Sequence, residues 1–366
     1  MRSTGRAHPQ RNVRCAIIRG GTSRGVYFAR TDLPRDPIAL RALLLSAMGS
    51  PDPRQIDGLG GADPLTSKVA IVAPSRRPGV DLDYEAWQIA IAERLASNHV
   101  MCGNLASGLP YFAMTRGWVI SEPPVSLTIH CENNGKRIIA TLPDAPGSSE
   151  ISIAGVPGTA PRVRLSFLEP GGTLLGDALP LGAARIPVEL SDRTASVSVV
   201  DAGAVYAFVQ AETLGATGTE SAETLDQMLR LRSHVDAIRR FVAGELATKC
   251  GSQVSPSAVK VALVGPQVDV DIASTLAVSA RIVNPERSHK AFAVGGAVAL
   301  ATAATIHGTV VSERVGTVVD RAVVRICHPS GEMDVTLAPP ISATGGPSSI
   351  CLDRTARLIM SGTVQV

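Results

Sequence analysis

A lysine and a cysteine are the first residues in this 366-residue sequence whose placement invites chemistry. Lys68 opens the β-rich run Lys68-Val-Ala-Ile-Val-Ala-Pro74, just after the Gly-rich stretch Asp57-Gly-Leu-Gly-Gly-Ala-Asp63 and Thr66-Ser67. At a solvated strand end it is only a surface cation. Facing an apolar cleft, burial would lower its pKa and make it a usable general base. Cys102-Gly103-Asn104 precedes a predicted helix over 103–116. Free cysteine is commonly a small buried hydrophobe. At a helix N-terminus, however, the thiolate is favoured and the adjacent N–H groups can hold a carboxylate.

Other segments suit binding. Arg19-Gly-Gly-Thr-Ser-Arg-Gly25 joins two strand candidates. It reads either as a hairpin turn with glycines at positive φ or as an anion cradle. The cradle would use Gly21, Thr22 and Ser23, flanked by Arg19 and Arg24. Ser288-His289-Lys290 precedes a second small-residue helix that opens at Val294-Gly295-Gly296. His289 could orient a carboxylate and Lys290 could add charge; the plain alternative is a surface pair. His99 lies three residues before Cys102, but no His–carboxylate spacing supports a hydrolase triad. Asp63 stands where a dinucleotide fingerprint needs Gly, and there is no Walker A sequence. The seven histidines and six cysteines form no metal-ligand spacing, so no metal is expected.

Composition narrows the class. With 45% hydrophobic and 18% charged residues, the chain cannot be intrinsically disordered. Only 3% aromatics argues against base-stacking modules, and 35 basic against 32 acidic residues leaves no polyanion-binding surface. No nucleic-acid partner is expected. Cys15, Cys102, Cys131, Cys250, Cys327 and Cys351 are scattered without C-x-x-C, and residues 1–12 lack an apolar h-region. A reduced, cytoplasmic setting is the expectation. Residues 291–311 contain no Asp, Glu, Lys or Arg and could span a bilayer by length. They are mostly Ala, Gly, Thr and Val, so a buried helix over 295–306 running into a strand is expected instead, with no membrane partner.

These groups need elements to hold them. Strands are predicted at Val13–Arg19, Gly25–Ala29, Lys68–Pro74, Trp87–Ala92, Val125–Cys131, Arg137–Leu142 and Arg162–Leu168. More follow at Thr194–Val200, Val205–Ala211, Val259–Val264, Thr275–Ile282, Val323–Cys327 and Asp334–Leu337. Asp36, Pro37 and Gly49 frame one helix. Glu220–Thr248 reads as a longer one, with Leu225, Met228, Leu229, Leu231, Val235, Ile238 and Phe241 inward. Strands without strict β-α alternation indicate an α+β fold. Lys68–Pro74 recurs as Lys260-Val-Ala-Leu-Val-Gly-Pro266 at an offset of 192, which also carries Cys102-Gly103-Asn104 onto Val294-Gly295-Gly296. Tyr27–Leu33 is echoed more loosely by Phe208–Leu214. Two like lobes follow, 12–192 and 193–349, with the strand 350–366 a candidate to cross back.

The motifs Arg19–Gly25, Met48–Ala62, Thr66-Ser-Lys-Val69 and Asp83-Tyr84 resemble the 2-methylaconitate isomerase (PrpF) family. So do Cys102-Gly-Asn104, Gly155-Val-Pro-Gly158, His289-Lys-Ala291 and His328-Pro-Ser-Gly331, over a stretch from about residue 13 to the C-terminus. The resemblance implies two pseudo-symmetric diaminopimelate epimerase-like lobes, each a mixed sheet around a central helix, with the active site in the cleft between them. It implies cofactor-independent isomerisation of an unsaturated di- or tricarboxylate, with Lys68 and Cys102 as acid and base. The expected binding set is Arg19, Gly21, Thr22, Ser23, Arg24, Ser67, Gly103, Asn104, Ser288, His289, Lys290, Gly295 and Gly296. Two departures stand out: Arg24 where the family usually has Lys, and Gly295 where it usually has Thr.

The expected reaction is a 1,3-allylic proton shift, with Lys68 as base and Cys102 as partner acid. An epimerase of the same fold would need a second thiol near Ala293 or Val294, and there is none. A non-catalytic carboxylate-binding protein is the other alternative. A homodimer is left open.

Overall fold

The computed structural model describes residues 11–366 apart from 100, 121, 144–149, 174–175, 269–274, 317–322 and 342–346. Its first half contains β1 (Asn12–Gly20), β2 (Ser23–Ala29), α1 (Pro37–Met48), β3 (Lys68–Pro74), β4 (Leu82–Ile89) and β5 (Ala96–Ser97). There follow α2 (Gly103–Ala106), α3 (Leu109–Thr115), β6 (Val125–Cys131), β7 (Arg137–Leu142), β8 (Glu150–Ile151) and β9 (Ala160–Leu168). The second half has β10 (Ile186–Glu189), β11 (Thr194–Asp201), β12 (Val205–Gln210), α4 (Ala222–Gln227), α5 (Leu229–Cys250), β13 (Lys260–Val268) and β14 (Thr275–Val283). It ends with α6 (Val294–Thr305), α7 (Val310–Val315), β15 (Val323–His328), β16 (Gly331–Ile341) and β17 (Pro347–Gln365).

One order of pairing occurs twice. β1 and β2 are antiparallel, β2 and β3 parallel, β3 and β4 antiparallel, β4 and β6 parallel, and β6, β7 and β9 antiparallel. β11 and β12 are antiparallel, β12 and β13 parallel, β13 and β14 antiparallel, β14 and β15 parallel, and β15, β16 and β17 antiparallel. The 19-residue β17 joins the two series. Its first part pairs with β16 and β9, as in Cys351↔Ser166, and its last part pairs with β1, as in Val364↔Val13. All the pairings together make a mixed sheet.

The echoed runs on β3 and β13 are continuously apolar because both faces are buried. Ala70 and Val72, with Ala262 and Val264, join an inner core that also contains Leu105, Leu109 and Phe112 of α2 and α3 and most of α6. Val69 and Ile71 face α1, whereas Val261 and Leu263 face α5. Gly and Ala let strands close around α6, ten of whose twelve residues are buried. That is the physical reason for the charge-free stretch 291–311. Among the described residues no helix is long and apolar enough to cross a membrane.

Several boundaries differ from expectation. The Asp36 carboxylate accepts from the Ala39 N–H and Gly49 takes φ 73°, as the helix framing requires. The helix expected over 103–116 instead breaks at Ser107–Gly108, because Pro110 has no N–H to return to Ala106. Met228 likewise separates α4 from α5, leaving Leu229 78% and Phe241 39% exposed rather than inward. The strand expected at Trp87–Ala92 lies earlier, at Leu82–Ile89, whose charged outer positions masked an alternating burial pattern. After α6 comes a helix, not a strand: Gly308 turns the chain at φ 83° and the Thr309 hydroxyl accepts from the Ser312 N–H.

Candidate active site

Period-two alternation on β3 sends Lys68 to the inner face with Ala70 and Val72. Its ammonium donates to Gln88 Oε1 on β4, directly across the ladder. The Gln88 amide donates in turn to the carbonyls of Ser67 at 3.1 Å and Pro64 at 3.2 Å, which fixes its oxygen toward the lysine. This partner is neutral, and no ion pair to Lys68 is found among the described residues. Ser67, one residue earlier, is turned to the opposite face. It is fully buried and donates to Gln55 Oε1 at 2.7 Å, so it orders the 55–67 loop rather than offering its hydroxyl to a ligand.

Cys102 is the N-cap of α2, half-buried, with a carbonyl that accepts from the Tyr84 hydroxyl at 2.9 Å. Tyr27 donates to the Leu105 carbonyl at 2.6 Å. Burial, and then the neighbouring Cys102, push the phenols of Tyr27, Tyr84 and Tyr206 upward. All three therefore remain neutral around the thiol. Gly103 brings the two inner helices together: a Cβ there would lie 2.4 Å from Val294 Cγ1. Position 295 is open by contrast, since a Cβ would meet only Tyr206 Oη at 3.9 Å. Gly296 is tight, against Ile282 and Phe292.

Arg19–Gly25 is a hairpin turn. Gly21 sits at φ 51°, its N–H donates to the Thr355 carbonyl at 2.8 Å, and Arg24 N–H donates to Leu65. Arg19 donates to the Gly21 carbonyl at 3.0 Å and to the Thr355 carbonyl and hydroxyl. These bonds engage the groups of the expected anion cradle at Arg19 and Gly21. What the turn offers instead is a seat for Asn104, which is buried and donates to Thr22 Oγ1 at 3.0 Å. A Cβ on Gly21 would strike Asn104 Oδ1 at 2.1 Å. The Arg24 guanidinium lies by Gly61, and the buried Ser23 hydroxyl has no partner among the described residues.

The second half supplies two imidazoles. His289 Nδ1 accepts from the Ala291 N–H at 3.0 Å and His328 Nδ1 from the Ser330 N–H at 3.3 Å, leaving Nε2–H on each neutral ring as a donor. Burial above all holds both near pKa 4; Lys68 acts further on His289, and Arg354 on His328. The charge of Lys68 is thus felt at His289, more than two hundred residues away in sequence. Ser330 donates to the Lys290 carbonyl, and a Cβ on Gly155 would approach both Ser330 and Thr22. Lys290 itself is exposed. Ser288 is buried, its N–H on Asp226 Oδ1 at 2.7 Å and its hydroxyl unpartnered among the described residues.

Lys68, Cys102, Gly103, Asn104, Thr22 and His289 are therefore brought toward one region, whereas Ser67 turns away and Lys290 contributes only its backbone. Sequence reasoning missed Gln88, Tyr84 and His328. Gln88 could have been found from the strand register opposite Lys68, and His328 from its motif. The arrangement offers a primary amine, a thiol, neutral imidazole and phenol donors, and a wall at Val294. That set suits proton transfer. No group of metal-ligating side chains occurs among the described residues.

Comparison with known proteins extends these observations. The chain is 40% identical to a (4E)-oxalomesaconate Δ-isomerase from Novosphingobium sp. (strain KA1), over 96% of this chain and 97% of that protein. It is 37% identical to a 4-oxalomesaconate tautomerase from Pseudomonas putida, over 97% and 96%. A crystal structure of methylitaconate Δ-isomerase superposes with a TM-score of 0.77 at 32% identity, covering 98% of this chain and 96% of that one. A hydroxyproline epimerase from Agrobacterium vitis shares the fold alone, with a TM-score of 0.60 at 15% identity over 100% and 94% of the two chains. The model of the PrpF protein family matches residues 10–366, and with these relatives it establishes that this chain is an isomerase of the PrpF family.

Proposed function

We propose that Lys68 and Cys102 carry a 1,3-allylic proton shift on an unsaturated di- or tricarboxylate bound in a cleft between two lobes, 12–192 and 193–349. The observation that carries this reading is the meeting of the halves beside Cys102, where Val294 packs against Gly103; the charge of Lys68, felt at His289, supports it. Lys68, acting as the base, takes a proton from the carbon γ to a carboxylate or carbonyl. The C–H electrons shift into the chain, the C=C bond moves by one carbon, and a dienolate forms with its charge on oxygen. The Cys102 thiol then returns a proton to the α carbon, and solvent-linked transfer from Lys68 to Cys102 restores both groups. No electron is gained or lost, so the step needs no redox cofactor.

Charge develops on substrate oxygen, where preorganised dipoles stabilise it. The Nε2–H groups of His289 and His328 suit this role because they donate without yielding a proton at neutral pH. A racemase built on this fold would need a second thiol opposite the first, and Ala293 and Val294 fill that place. The substrate class follows from the relatives, whose names specify oxalomesaconate and methylitaconate. The six unpaired cysteines are in keeping with work in a reducing cytoplasm.

The test is proton NMR in deuterated water with aconitate, 2-methylaconitate, itaconate and oxalomesaconate. Isomerisation of at least one of them, with deuterium entering the allylic system, is the expected outcome. Binding without any deuterium incorporation would leave a carboxylate-binding protein and end the catalytic reading.

A further inference from the structure

We propose that the buried guanidinium of Arg354, on the strand that joins the two halves, binds one carboxylate of the substrate; this rests on the polycarboxylate reading above. Along β17 the inner face reads Ile350, Leu352, Arg354, Ala356, so a permanent cation interrupts an apolar row. Arg354 is only 5% exposed, and its Nε has no hydrogen-bond partner among the described residues. Nη1 donates to the neighbouring Asp353 carbonyl at 3.0 Å, and Nη2 lies on the Met333 thioether, a weak acceptor. The Asp353 carboxylate is on the other face, taken by Arg164 through bonds of 2.8 and 3.0 Å. No carboxylate forms an ion pair with Arg354 among the described residues, and the charge of neighbouring Asp353 offsets its burial only in part.

An uncompensated buried charge is expensive, and a guanidinium fork matches a carboxylate bidentately. The position suits that match. Arg354 Cδ lies 3.3 Å from where a Cβ on Gly21 would be, and the same Cβ would touch Asn104. The guanidinium therefore underlies the hairpin turn beside Asn104, and its charge helps hold neighbouring His328 neutral. Arg19, the cation that the sequence singled out, is engaged by Gly21 and Thr355. Arg354, the residue before Thr355 on β17, does have an orphaned donor. Burial lowers its pKa to about 10, which still leaves it charged at neutral pH.

Binding of tricarballylate and of trans-aconitate to the full-length protein, followed by calorimetry, tests the assignment. Arg354→Ala should weaken binding roughly 30–100-fold, as expected for loss of a bidentate charged pair. Arg354→Lys should lose less, millimolar methylguanidinium should restore part of the alanine variant's affinity, and the melting temperature should not fall. Unchanged binding in Arg354→Ala would overturn the proposal. So would weakening that tracks a lowered melting temperature and is not rescued by methylguanidinium. Failure of the wild-type protein to bind either probe overturns it too. If the probes bind through Arg354 but no deuterium enters any substrate, the catalytic reading fails and the carboxylate site stands.

Discussion

Gly103 and Gly295 hold equivalent places at the starts of α2 and α6, 192 residues apart, yet a side chain added at each would meet different surroundings. At 103 it would collide with Val294 at 2.4 Å; at 295 it would find only Tyr206 Oη at 3.9 Å. Their neighbours differ too. Cys102 stands opposite Val294 in the repeat, and Asn104, tied to Thr22, stands opposite Gly296. The lysines continue the contrast. Lys68 pairs in register with Gly25 and donates to Gln88, whereas Lys260 pairs with Tyr206 and donates to the Ser257 carbonyl at 3.0 Å. Gly25 leaves room for Leu105 of α2, while Tyr206 stacks its ring on Phe208 at 5.9 Å. A repeated backbone has kept its strand order and a lysine in each half, the Lys260 pKa being lowered to about 8 chiefly by burial, while the thiol at the helix start occurs on one side only. The other side became a wall with neutral donors.

Breaking the contrast at the thiol should have the largest effect. Cys102→Ala should lower kcat about 10²–10⁴-fold, the usual range for a lost acid or base, whereas Val294→Ala should change it only a few-fold. Steady-state rates with an unsaturated tricarboxylate check both. A smaller effect is expected from packing. Gly103→Ala forces Val294 aside and should destabilise by about 1–3 kcal/mol in urea unfolding. Combining it with Val294→Ala should recover part of that loss, as contact between the two predicts.

The second half's imidazoles give the contrast a pH signature. His289 and His328 sit near pKa 4 in the folded chain and near 6.5 when unfolded. Between those values the unfolded chain binds more protons, so stability is full above about pH 6.5 and declines as pH falls toward 4. His328→Asn should flatten that decline, measured as urea midpoints across the range. The smallest change belongs to Gly295→Ala. With open space at this position, it should be neutral or stabilise by roughly 0.5–1 kcal/mol through the unfolded chain.

Much of this was legible in the amino-acid pattern, for identifiable reasons. Local chemistry fixed α1, because Asp36, Pro37 and Gly49 each act within one turn. The offset of 192 pointed to the repeated strand order, because β3 and β13 must both be apolar on two faces. Elements decided by tertiary contact were harder. β4 carries Asp83 and Glu85 outward, so the apolar run after it looked more strand-like. The break at Ser107–Gly108 depended on a single missing N–H at Pro110. That Ser67 faces away from Lys68 follows from alternation alone. Arg354 gave no local signal, and His328 gave only its place in the His328-Pro-Ser-Gly331 motif. Their significance comes from burial and from the absence of an acidic partner, properties that exist only once β15, β16 and β17 are assembled.

The central claim is that the chemistry belongs to one half, and the two equivalent lysines test it most directly. Solvent deuterium incorporation into the turned-over substrate should be followed by NMR for the wild-type protein, Lys68→Met and Lys260→Met, with circular dichroism to confirm folding. Lys68→Met should incorporate none above background while Lys260→Met stays within a few-fold of wild type. Exchange retained in Lys68→Met, or abolished equally in a folded Lys260→Met, would contradict it.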